Sequence, residues 1–187
     1  MDELLRAMTA ITPRAAASRP EIIRGFRTVA QKRGTLLAGP GSGGRYAWFV
    51  ATGALRSYLV DEDGQERTLE LSLEGAWVGD IDAFLTGRPS RLYVEVTEDA
   101  ELHRIAYHDL EILLQSVPDL ERYFRILYSY AYSAYFKRMT QLLSWPARRR
   151  YEHLREHQPE LLERFPLKII ASYLGMTPES LSRIRRG

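Results

Sequence analysis

Glu179, Ser180 and Arg183 stand three and four residues apart, a spacing that sets them on one side of a helix. Those side chains suit the reading of base edges. A guanidinium donates two parallel hydrogen bonds to guanine, and a carboxylate accepts from the cytosine amine. Ser182 stands beside them, and Arg185 and Arg186 supply cations of the kind that meets phosphate oxygens. Thr177 precedes them as the hydroxyl expected to cap the helix. The candidate DNA-contacting set is therefore Thr177, Glu179, Ser180, Ser182, Arg183, Arg185 and Arg186.

A reading face of this kind needs a frame, and Pro166 to Arg186 (P-L-K-I-I-A-S-Y-L-G-M-T-P-E-S-L-S-R-I-R-R) supplies one. Two short helices crossing at ~90–120° need a small residue at the crossing and an apolar wedge between them. Ala171 is that small residue, and Ile170, Leu174, Met176, Leu181 and Ile184 are the wedge. Gly175 follows the first helix, where left-handed geometry is common and a Cβ resists it. Pro178 fits the first turn of the second helix, where its missing N–H costs nothing. The pattern is that of a helix-turn-helix. A plain helical hairpin with a polar face is the alternative.

Other polar clusters carry less. Asp80 and Asp82 could be paired carboxylates for acid–base chemistry, but no nucleophile or orienting partner accompanies them. His153 and His157 share a helical face without a third ligand or the glutamate of a His-Glu-x-x-His motif. The glycine-rich run Gly39 to Gly44 lacks the Lys-Ser/Thr ending of a phosphate loop and reads as a hairpin loop. Arg148-Arg149-Arg150 reads as a solvated helix face that could also meet a DNA backbone. No catalytic residue, no metal site and no cofactor is expected.

The elements that must hold the reading face occupy the rest of the 187 residues, enough for one good core with a small appendage. With 45% hydrophobic and 27% charged residues the composition is that of a globular protein. The absence of cysteine excludes disulfides, thiolate catalysis and cysteine-held iron–sulfur clusters. No apolar run approaches the ~20 residues of a membrane span, and Met1-Asp2-Glu3 does not open a signal peptide, so the cytoplasm is expected. From Trp145 onward, nine Lys/Arg face five Asp/Glu, which concentrates a basic surplus around the helix-turn-helix.

Met1 to Ala10 and Ile22 to Phe26 show helical patterns. From Thr28 to Ala106 the chain turns to short Val-, Leu-, Tyr- and Thr-rich runs broken by turn residues, an all-β unit. Asp63-Gly64 marks a hairpin within it. After the short helix at His108 to Ser116, a long helix runs from an expected Asp119 cap to Ser144, with Leu120, Phe124, Leu127, Ala131, Ala134, Met139 and Leu142 near one stripe. Tyr123, Tyr128, Tyr130, Tyr132, Tyr135 and Phe136 widen that stripe beyond what one β unit covers, which points to a second copy of the helix as partner. Ser144-Trp145-Pro146 ends it.

This order of elements resembles the cyclic-AMP receptor protein and FNR family of bacterial regulators over nearly the whole chain. Glu74-Gly75-Ala-Trp-Val-Gly79-Asp80 resembles the stretch leading into that family's phosphate-binding cassette, and Phe84 to Ser90 the cassette itself. Asp63-Gly64 resembles the hairpin before it. Glu179, Ser180 and Arg183 match the family's base-reading Glu, Ser/Thr and Arg. The resemblance implies an α+β fold: an antiparallel β-roll (a double-stranded β-helix, jelly-roll-like), a long dimerisation helix and a C-terminal helix-turn-helix. It divides the chain into a sensor domain at 1–116, the dimerisation helix at 117–144 and a DNA-binding domain at 145–187. It also implies DNA and a second copy as partners, with a small-molecule effector and RNA polymerase as further ones, and no membrane.

The effector pocket implied by the resemblance takes in Gly79, Asp80, Ile81, Arg88, Ser90 and Arg91. There the chain departs from the family, whose cyclic-nucleotide binders place a glutamate after the glycine and an Arg-Ser or Arg-Thr pair. Asp80 is one methylene shorter, and Ser90-Arg91 reverses the order of the pair, so on a regular strand the guanidinium turns to the opposite face. Cyclic AMP is therefore not expected to bind by the usual cassette. The expectation is a dimeric, sequence-specific DNA-binding regulator that is not an enzyme. The alternatives are a cyclic-nucleotide sensor whose helical tail contacts protein and, more remotely, a cupin-like enzyme.

Overall fold

The computed structural model describes residues 1–42 and 44–186. The fold is α+β, an antiparallel β-roll with flanking helices, a long helix and a set of short C-terminal helices. By internal contacts the chain forms two compact units: residues 1–57 with 72–128, and 58–71 with 129–187.

In the first unit β1 (Arg27–Gln31), β3 (Tyr46–Thr52), β6 (Trp77–Val78) and β8 (Ala100–Ala106) form one sheet in the order β1-β8-β3-β6. The second sheet runs β2 (Leu36–Ala38), β7 (Tyr93–Val96), β4 (Leu55–Val60), β5 (Glu66–Ser72). Strand periodicity sends alternate residues to opposite faces. Trp48 and Val50 accordingly join Leu55, Val78, Val94, Val96 and Leu102 in one apolar cluster. Phe49, between them, joins a second cluster with Ile105 and with residues of α1 (Asp2–Ile11), α2 (Arg19–Gly25), α4 (Tyr107–Ser116) and the start of α5 (Asp119–Ser144). The first sheet is thus covered on both faces.

Three details differ from the sequence reading. The β region contains a short helix, α3 (Ile81–Thr86), because Asp80 accepts a hydrogen bond from the Ala83 N–H at 3.2 Å and Gly87 closes the helix in left-handed geometry. The Gly39 to Gly44 segment is not a hairpin loop, since the strands on either side of it, β2 and β3, belong to different sheets. Gly43, part of that expectation, lies outside the described residues. Asp119 is the first residue of α5 rather than its cap, a position where its carboxylate still meets the positive end of the helix.

The expected hairpin at Asp63-Gly64 is present. Gly64 has φ +75°, and the Asp61 carboxylate accepts from the Asp63 and Gln65 N–H groups and from Arg67 Nε at 2.7 Å. These bonds hold the Asp61 carboxyl below the usual carboxylate range, the Gln65 amide contributing most.

In the second unit α5 continues past Ser129 and is followed by α6 (Ala147–His157), α7 (Pro159–Arg164), α8 (Leu167–Tyr173) and α9 (Pro178–Arg186). Leu120, Tyr123 and Phe124 at the start of α5 are buried, whereas Tyr130 and Tyr132 further along are 73% and 74% exposed. Tyr132, Phe136, Met139 and Leu143, spaced three and four residues apart, form one exposed apolar strip of the helix. Among the described residues no helix is long and apolar enough to cross a membrane.

Candidate functional site

α8 and α9 cross where the sequence placed the small residue: Ala171 is fully buried, with Ile170, Leu174 and Leu181 packed beside it. Met176 and Ile184 are half-buried at the edge of the wedge. Gly175 has φ +65°, and a Cβ there would stand 3.0 Å from Leu142 Cδ2, so both backbone conformation and space call for glycine. The Thr177 hydroxyl accepts from the Ser180 N–H at 3.2 Å, which caps α9, and Pro178 occupies the first helical position.

With Leu181 buried, the opposite side of α9 faces outward. Glu179, Arg183, Arg185 and Arg186 are exposed; Ser180 and Ser182 are half-buried. Pro178, Glu179, Ser182, Arg183 and Arg186 line one open groove. Arg183 rests against Ser180 Oγ at 3.3 Å, which directs the guanidinium along this face rather than into the body of the unit. The Glu179 carboxyl is held below the usual range, first by its own backbone N–H and then by Thr177, so it is an acceptor at neutral pH.

Arg150 is a bracing residue that the sequence did not disclose. Its guanidinium donates to the carbonyls of Trp145 (2.6 Å), Leu174 (2.8 Å) and Gly175 (3.3 Å), which ties the start of α6 to the turn between α8 and α9. Those carbonyls lack helical partners, and charge-assisted bonds to them are among the stronger kinds. Within the run Arg148-Arg149-Arg150 nothing local marks it out, since two of its acceptors lie 24 and 25 residues away. Arg148 and Arg149 are exposed, Arg149 over the Trp145 ring at 4.1 Å.

The cassette residues are arranged differently. Asp80 is buried; its Oδ2 accepts from Ser90 Oγ at 2.9 Å and from the Arg91 N–H at 3.3 Å. Together with the Ala83 N–H, these donors are already taken by a side chain of the protein itself. Ser90 Oγ also accepts from the Leu92 N–H at 3.0 Å. Gly79 is half-buried, while Ile81, Arg88 and Arg91 are exposed. The buried cation of the roll, Arg56, pairs with Glu95 at 2.6 Å. A cyclic phosphate brought to Asp80 meets a carboxylate, so the residues present do not fit that group.

The His153 and His157 rings lie tilted to one another with centroids 4.1 Å apart, and the His157 ring nitrogen faces His153 O. Among the described residues no cluster of three or more His, Asp or Glu is placed to hold a metal ion.

Residues 29–117 match the family model described as cyclic nucleotide-binding domain. Among solved structures the chain is similar to the c-di-GMP responsive global regulator CLP of Xanthomonas campestris (19% identity, 91% of this chain and 90% of that one, TM-score 0.70). It is also similar to a CooA variant from Carboxydothermus hydrogenoformans (19%, 88% and 77%, 0.72) and to FixK2 from Bradyrhizobium japonicum (20%, 86% and 83%, 0.72). No curated protein matches in sequence. Residues 29–117 are thus similar to cyclic nucleotide-binding domains. The chain has the fold of the Crp/Fnr transcriptional regulators.

Proposed function

We propose that this protein is a sequence-specific DNA-binding transcription regulator of the Crp/Fnr type and not an enzyme. A homodimer reads a near-palindromic operator with the helix at 178–186. The observation that carries the reading is the capped, outward-facing side of α9, braced by a close-packed crossing at Ala171. Arg183, Glu179, Ser180 and Ser182 are assigned to base edges, Arg185 and Arg186 to phosphates, and Thr177 to the helix start. The exposed strip Tyr132, Phe136, Met139, Leu143 is the surface for a second copy of α5. On this division 1–116 senses, 117–144 dimerises and 145–187 binds DNA in the cytoplasm, with RNA polymerase as a further partner.

If Gly79 to Arg91 takes an effector, it is not cyclic AMP held in the usual cassette, because Asp80 occupies the phosphate-type donors. A salt titration tests the main proposal. Specific binding should weaken with a log–log slope of about −0.9 per phosphate contacted, and Arg183→Ala should flatten base preference. Binding to selected DNA that is absent or insensitive to salt overturns it.

A second reading rests on the family match over residues 29–117. It makes the roll a cyclic-nucleotide sensor whose helical tail contacts protein. Calorimetry with cyclic AMP and cyclic GMP separates the two, since heat of binding supports the sensor and its absence removes it.

A further inference from the structure

The hairpin segment 58–71 belongs by its contacts to the unit that carries α8 and α9. Ser172 of α8 accepts from the Thr68 N–H at 2.9 Å and donates to Glu66 O at 2.7 Å, so a helix side chain takes the place of a neighbouring strand along β5. Arg138 of α5 donates to Thr68 O at 3.1 Å and to Tyr173 O at 2.7 Å, and its guanidinium lies 4.2 Å from the Tyr173 ring centre. Three backbone groups of β5 are thereby engaged by α5 and α8. Glu70 of the same strand lies against this junction, lining one cavity with Tyr135, Arg138 and Tyr173.

We propose that β5 and α5 form a clasp on α8 that is firm while Glu70 keeps its proton and loosens when Glu70 ionises, so that the hold on the helix-turn-helix follows pH. Burial pushes the Glu70 carboxyl up to about 7, outweighing its bond to Tyr135 and the charge of Arg138, both of which favour ionisation. The other ionisable groups facing it are Tyr173 on α8 and, around a shared cavity of about 510 Å³, Lys137 on α5 with Arg150, His153 and His157 on α6.

The sign follows from linkage. Closed, Glu70 holds its proton up to about 7; open and hydrated, it releases it near the ordinary 4.5. The advantage of the closed form is complete below 4.5 and is lost as pH rises through 7. Between pH 6 and 8 this amounts to an increase of about tenfold in the opening equilibrium. If α8 and α9 read DNA, the clasp makes that reading pH-responsive; this consequence rests on the proposed function, while the clasp itself does not.

Amide hydrogen exchange of the full chain tests the clasp without DNA. Protection at the Thr68 amide, corrected for intrinsic rate, should fall about tenfold from pH 6 to pH 8 and stay level in Glu70→Gln. A His153→Gln/His157→Gln variant should keep the wild-type dependence. Level protection in the wild type, or a fall that persists in Glu70→Gln or disappears in the histidine variant, overturns the proposal. Should Glu70→Gln fail to fold, the carboxyl carbon of Glu70 followed by NMR decides: a midpoint near 7 supports the clasp, and one near 4.5 refutes it.

Discussion

At residues 80–91 the polar groups turn toward one another; at residues 177–186 they turn toward solvent. Asp80, Ser90 and the Arg91 amide close a small internal network, and the side chains left outside it, Arg88 and Arg91, carry no fixed geometry from it. Glu179, Ser180 and Arg183 instead sit on a helix whose inner side is locked by Leu181 and whose start is capped by Thr177. Both stretches contain an acid, a serine and an arginine. What separates them is where the bonding capacity is spent: inward in the cassette, which discourages an anion, and outward on α9, which leaves a pre-organised face for a ligand.

The sharpest way to break this contrast is to unlock α9. Leu181→Ala should cost about 2–5 kcal/mol, the range for an emptied core position, and should abolish DNA binding as the crossing loosens. Thermal unfolding beside a binding assay checks it, and an unchanged melt would mean that Leu181 does not brace the face.

Arg183→Ala should leave the melt in place and weaken specific binding by about 1–3 kcal/mol, with selectivity lost at one base pair of each half-site. Arg150→Ala should be intermediate in kind. It frees the carbonyls of Trp145, Leu174 and Gly175, costing about 1–3 kcal/mol of stability and lowering affinity for all sequences alike.

The β-roll and the junction of β5 with α5 also differ in the sign of their pH response. His103 in the roll is fully buried, and desolvation holds its pKa below the ordinary 6.5. A depressed base favours the folded state above 6.5 and loses that contribution as pH falls below it. Glu70 acts in the other direction. Melts at pH 7 and 5 should therefore show a loss toward acid from the roll that is smaller in His103→Gln than in the wild type. The smallest effect belongs to the cassette: millimolar cyclic AMP should leave the melting temperature unchanged, and a rise would show that Asp80 gives way to the phosphate.

Much of the helix-turn-helix was legible because its determinants are local. Gly175 through its left-handed backbone, and Thr177 and Pro178 at the start of α9, each answer a need met within a few residues, and Ala171 faces a helix only ten residues on. The hairpin at Asp63-Gly64 was legible for the same reason. The crossing of Gly39 to Gly44 between sheets was not, because which strand pairs with which is decided by long-range contacts. Arg150, Arg138 and Ser172 were hidden likewise, since their partners lie far along the chain and their residue types are ordinary on a helix surface. The short helix after Asp80 was masked by its strand-like surroundings, although Asp80 as cap and Gly87 as stop are visible in retrospect.

The most direct test is selection of binding sites from random double-stranded DNA by the full chain. The expected product is a nearly palindromic sequence with half-sites about one helical turn apart, the symmetry that two copies of α9 would impose. Recovery of no enriched sequence, or of one that Arg183→Ala binds with the same base preference, would contradict the account.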